Sequence, residues 1–160
     1  MTGQGPGGRF VVPTKRGRFV VYGLVGWCAE VLFTGAHDFF RYRDPRLPSR
    51  SSVWMFPVYG LCAPLYEPLH DAVRDLPLLV RALAYGLGFL GVEYASGTLL
   101  RAALGRAPWD YSFAKRHVHG LIRPDYFPIW AAAGIALERV HDALAGRGQD
   151  LFASPASERG

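Results

Sequence analysis

A chain of 160 residues, half of them hydrophobic, 19% charged and 14% aromatic, is about one domain and leans toward a membrane. A net charge of +5 would raise nucleic acid as a partner in a soluble protein. Here the basic residues stand beside apolar segments, as in Lys15-Arg16-Gly17-Arg18 and Arg41-Tyr42-Arg43, which suits anchoring to anionic lipid and disfavours nucleic acid.

The opening residues, rich in glycine, are expected to form a disordered tail over 1–17. The first helix is expected at about 18–40. Its basic flank and apolar run resemble a leader, but Trp27 and Glu30 interrupt the run and no A-x-A-like site follows, so it reads as a retained helix. Asp44-Pro45 and Leu47-Pro48 mark a loop, and a second helix follows at about 53–73. Pro57, Pro64 and Pro68 remove backbone donors from it, so it is expected to bend. Pro77 opens a third helix at about 76–104. A long loop rich in aromatic and basic residues leads to a fourth at about 126–144, and 146–160 reads as a second disordered tail. The transmembrane domain is thus expected over 18–145, each helix near the roughly 20 residues a span needs. Mean hydropathy is only +0.09 because every apolar stretch carries its own glutamate. Cys28 and Cys62 make no C-x-x-C and read as small buried residues.

The chain repeats itself. Tyr22-Gly23-Leu24 with Glu30 returns as Tyr85-Gly86-Leu87 with Glu93, and the run Glu67 to Val73 is echoed by Glu138 to Leu144. Each half is therefore a helical hairpin whose first helix carries a glutamate and whose second carries Glu-x-x-His. Small residues share a face with each acid, as Gly23 and Gly26 do with Glu30, so the acids face protein rather than lipid. The expected fold is all-α, a polytopic membrane four-helix bundle of two similar hairpins related by a pseudo-two-fold axis along the membrane normal. Both tails then lie on one side, and the basic residues divide equally between the two faces, which leaves orientation open.

A carboxylate within the apolar stretches is costly unless compensated. Three readings compete. One Glu on each of two helices and Glu-x-x-His on the other two is the ligand pattern of carboxylate bundles holding two metals. That nominates Glu30, Glu67, His70, Glu93, Glu138 and His141 for a di-iron or di-manganese centre in a membrane oxidoreductase. The second reading is a proton or cation relay in a transport protein. The third is packing alone, with the acids satisfied by intrahelical histidines and by Trp and Tyr donors, in a structural or partner-binding protein. In the long loop, Trp109, Asp110, Tyr111 and His119 read as an interfacial hairpin or plug, or else as a ligand lip. No P-loop, nucleophile elbow or H-E-x-x-H occurs, which argues against those enzyme classes.

Gly26-Trp27 with Glu30, Ser52-Val53-Trp54, Tyr59-Gly60, Glu93-Tyr94, Pro108-Trp109-Asp110-Tyr111-Ser112, Gly120-Leu121-Ile122 and Glu138 resemble the bacterial membrane family called putative ABC-transporter type IV, or CmpB-like. Its animal relatives are named transmembrane protein 229. The resemblance covers about 19–141 and implies a polytopic α-helical membrane protein without an ATPase domain of its own. His70 and His141 are not part of the resembling motif. Together these expectations describe a permease-like or transport-associated component of the cell membrane, with the lipid bilayer as partner and a homo-oligomer or other membrane subunits beside it.

Overall fold

The computed structural model describes residues 11–147. Among them every regular element is helical; an isolated bridge between Val118 and Ile122 is the sole β pairing. Helix α1 runs Lys15–Tyr42. It starts three residues before the expected Arg18 because the Thr14 hydroxyl accepts from the Gly17 amide at 3.1 Å and caps the first turn. At its other end Arg43 adopts φ 55° and closes the helix through its amide on the Phe39 carbonyl. Of the expected tails, residues 1–10 and 148–160 lie outside the described residues.

The second helix is bent. It is built from α2, Met55–Gly60, a π-helical turn, Cys62–Tyr66, and α3, Glu67–Val73. The prolines account for the turn: Pro64 and Pro68 have no amide to donate, and the Glu67 amide reaches back to the Cys62 carbonyl, one residue further than in an α-helix. Helices α4, Leu78–Leu104, and α5, Phe127–Ala145, follow. A single 3₁₀ turn, Pro124–Tyr126, leads into α5.

The chain pairs as two antiparallel hairpins. On α1 and the bent helix, Arg18 meets Glu67, Phe19 lies over Gly60, and Gly23 lies against Phe56. On α4 and α5, Arg81 meets Glu138, Tyr85 covers Gly134, and Gly86 lies against Phe127. Glycine is required at these crossings because a Cβ at Gly23 would stand 2.8 Å from the Phe56 ring and one at Gly86 2.6 Å from Phe127. Tyr66 ties the hairpins together, its hydroxyl donating to the Gly134 carbonyl at 2.7 Å. Where the chain enters α1, the Val12 amide bonds the Leu144 carbonyl at the end of α5.

Burial departs from that of a water-soluble domain, with charged and imidazole groups among the buried aromatics and large apolar side chains outside. Arg18, Glu67, His70 and His141 are buried, whereas Leu32 is 73% exposed, Leu87 65% and Leu99 70%. Helices α1 and α4 are each long and apolar enough to cross a membrane. At about 1.5 Å per residue they reach roughly 40 Å, and an outward row of leucine, valine and phenylalanine is what acyl chains solvate.

The crossings make a direct expectation for stability. Leucine at Gly134 meets a tyrosine pinned on both sides, so Gly134→Leu is expected to cost about 3 kcal/mol or to abolish folding. Exposed Gly91 has nothing within 4 Å of its added Cβ, and Gly91→Ala is expected to be neutral or to stabilise by up to about 1 kcal/mol. Thermal unfolding in detergent measures both.

Candidate functional site

The polar interior falls into two layers. The first lies where the entry of α1 meets the end of α5. Glu67, 3% exposed, receives both arms of Arg18, with Nε donating to Oε1 at 2.6 Å and Nη2 to Oε2 at 2.8 Å. The remaining Arg18 nitrogen donates to the carbonyls of Val12 and Pro13. On the other hairpin the same relation recurs more loosely, with Arg81 Nε 3.5 Å from Glu138 Oε1. Two cations thus face two anions, which lowers the cost of holding all four out of water.

The histidines cross over. His141 of α5 places Nδ1 3.0 Å from the Tyr22 hydroxyl and 3.6 Å from Glu67, both on the first hairpin. His70 of α3 places Nδ1 2.8 Å from the Tyr85 hydroxyl and 3.8 Å from Glu138, both on the second. Tyr85 donates its proton to Glu138 Oε1 at 2.8 Å. The two imidazoles lie edge to face with centroids 5.1 Å apart. Each carboxylate is therefore held by an arginine of its own hairpin and approached by a histidine of the other.

Glu30 and Glu93 occupy the second layer, eight residues beyond Tyr22 and Tyr85 and so roughly 12 Å along the helices. Glu93 accepts from the Tyr111 hydroxyl at 2.9 Å and the Trp130 indole at 3.2 Å. Glu30 is faced by Tyr59 and Ser51, and its Oε2 has no hydrogen-bond partner among the described residues. Of the six residues with the pattern of metal ligands, Glu67, His70, Glu138 and His141 come together, while Glu30 and Glu93 stand apart with aromatic donors. The six do not form one ligand shell, because the rise of α1 and α4 separates their acids from the Glu-x-x-His pairs. Both Glu67 oxygens are already taken by Arg18.

The loop residues are likewise tied down. Tyr111 enters the second layer, and Trp109 donates to the Leu121 carbonyl at 3.0 Å. His119, at φ 52°, meets the Tyr94 hydroxyl through Nδ1 at 2.9 Å, and Arg101 donates to its carbonyl. Asp110 closes its own turn, accepting from the Ser112 amide at 2.9 Å and hydroxyl at 2.6 Å. Gly120, at φ 70°, must lack a side chain because a Cβ there would strike Ser112 and Asp110. These hydrogen bonds fold the segment against the second layer, which Tyr111 reaches through Glu93.

Arg18, Arg81, Tyr22, Tyr85 and Asp142 belong to the first layer although charge counting groups the arginines with the flanks. The repeat carries their signal: Arg18 precedes Tyr22 by four residues as Arg81 precedes Tyr85, and Asp71 and Asp142 each follow their histidine. A family model described as putative ABC-transporter type IV matches residues 18–155. No solved structure matches the chain.

Two measurements check this geometry. Arg18→Met leaves Glu67 buried and unpaired and is expected to cost about 3 to 5 kcal/mol, with Arg81→Met milder because Arg81 is more exposed and its contact longer. The Ser112 hydroxyl and amide hold the Asp110 carboxyl below the usual carboxylate range. Since the folded value is depressed, the turn is stabilised above the unfolded value of about 3.9 and loosens as pH falls through the folded one. A lower protection factor for the Ser112 amide in acid, with the intrinsic exchange rate divided out, is the expected readout.

Proposed function

Since the chain belongs to the putative ABC-transporter type IV family, we propose that it is a multi-pass component of the cell membrane, permease-like or transport-associated, whose two hairpins pack as a four-helix bundle about a pseudo-two-fold axis. The observation that carries this reading is the burial pattern: paired charges and histidines inside, large apolar side chains outside on both long helices. The axis is supported by contacts that recur in pairs. Gly23 against Phe56 matches Gly86 against Phe127, and Arg18 with Glu67 matches Arg81 with Glu138. Tyr22 with His141 and Tyr85 with His70 exchange hairpins as a two-fold requires.

Helix α5, at 19 residues, spans about 28 Å, close to the hydrocarbon thickness, and the bent helix Met55–Val73 matches it in length. Glu30 and Glu93 are the groups a proton or small cation would meet between the long loop and the first layer. These 160 residues carry no P-loop, and the proposal includes other membrane subunits or a second copy of the chain beside it. The kinship to animal transmembrane protein 229 chains belongs to it as well.

The reading is tested in two steps. The protein is expected to resist alkaline extraction from membranes; release into the soluble fraction refutes the multi-pass topology. In proteoliposomes carrying a pH-sensitive dye, wild type is expected to pass protons or monovalent cations, and replacing Glu30 and Glu93 together by glutamine is expected to cut the flux at least tenfold. Flux indifferent to that replacement, or no flux at all, favours the scaffold reading instead.

A further inference from the structure

Within the first layer, the outward edges of the two crossed histidines face Asp142, and the hydrogen-bond network selects the tautomer of each neutral ring. Tyr85 donates to Glu138, so its oxygen accepts from His70, and the neutral His70 ring has its hydrogen on Nδ1. Its Nε2 is left with a lone pair. That atom belongs to a side chain 3% exposed, has no hydrogen-bond partner among the described residues, and lies 3.6 Å from Asp142 Oδ1, itself buried and unpartnered. For His141 the same conclusion comes from the other side. Arg147 Nη1, which can only donate, lies 3.3 Å from His141 Nε2, so that nitrogen also presents a lone pair while Nδ1 faces Tyr22 and Glu67.

We propose that His70, His141 and Asp142 form a mononuclear site for a divalent cation of the zinc class, at the end of the layer where α3 and α5 finish. Two imidazole nitrogens and a carboxylate are the donor set such ions take, with a fourth position left for water. One ligand atom from each residue already falls within 4.8 Å of the others. Ligand bonds of about 2.0 to 2.1 Å need that triangle to close by up to about 1.5 Å, within reach of side-chain rotation. Tyr85 with Glu138, and Tyr22 with Glu67, hold the imidazoles from behind as carboxylates do at zinc sites, here through an intervening phenol. The two glutamates of the Glu-x-x-His motifs are thus positioning residues, not ligands.

Arg147 is the gate. It follows Gly146, the left-handed cap of α5, and is paired with Asp71, so its guanidinium stands beside the imidazoles in place of an ion. Its side chain is 39% exposed, which lets it swing to solvent when a dication enters. Asp142, 31% exposed, opens the same face to the aqueous phase. This assignment goes beyond the transport reading and stands without it.

The test uses tag-free full-length protein in detergent, titrated with Zn²⁺ by calorimetry and with Co²⁺ by its visible d–d bands. One ion per chain with four- or five-coordinate cobalt bands is expected. His70→Gln with His141→Gln should abolish binding, and the near-isosteric Asp142→Asn, checked for folding by its thermal unfolding, should weaken it at least tenfold. Tyr85→Phe should weaken it roughly ten- to a hundredfold by freeing the imidazole behind the ligand. Arg147→Gln should tighten binding about tenfold by removing a like charge. Wild type that binds no stoichiometric ion, or binding indifferent to Asp142→Asn, overturns the proposal.

Discussion

Holding four charged groups largely out of water at one end of an apolar helical molecule is the constraint around which this fold is arranged. Arg18 and Glu67 meet it with a two-armed ion pair, and Arg81 and Glu138 with a looser one. An unpaired ion at such a place costs several kcal/mol, so the partners must arrive together. That requirement sets the depth at which α1 meets the bent helix and α4 meets α5. The glycines let the helix backbones cross closely on either side of that pairing, Gly60 under Phe19 and Gly23 against Phe56.

The histidines turn two hairpins into one body. A hairpin whose arginine, glutamate and tyrosine were satisfied internally would have no polar reason to find its neighbour. Here each tyrosine hydroxyl is shared with an imidazole from the other half, and Tyr66 adds a bond to the Gly134 carbonyl. Hydrogen bonds inside a low-dielectric layer are directional and costly to break, so they specify how the halves meet in a setting where the hydrophobic effect between helices is absent. The second layer uses different means. Tyr111 and Trp130 hold Glu93 through neutral donors, with no ion pair to it among the described residues.

The π-helical turn at Cys62–Tyr66 links sequence to site most directly. Three prolines in one helix cannot all keep α-helical hydrogen bonds, and the wider ring absorbs the loss just before Glu67 and His70. Ala63, Tyr66, Glu67 and His70 are all buried along the inward side of that segment. In α5, which lacks a proline there, Glu138 sits further from its arginine, in keeping with the looser pair.

The amino-acid sequence by itself determined the number and order of the helices, the bend in the second, and the inward stripe of acids with their small neighbours. Those are local properties: apolar periodicity, proline chemistry and a repeat that survives in Tyr-Gly-Leu and Glu-x-x-His. Only the tertiary structure decided which polar groups meet. The carboxylate-bundle pattern groups Glu30 and Glu93 with Glu67 and Glu138, yet the rise of the helices puts them in a separate layer with aromatic donors. Arg18 and Arg81 look like flank charges until the hairpins close on them. The crossing of His70 and His141 joins residues far apart in the chain, and no spacing along one helix encodes a contact made between two halves.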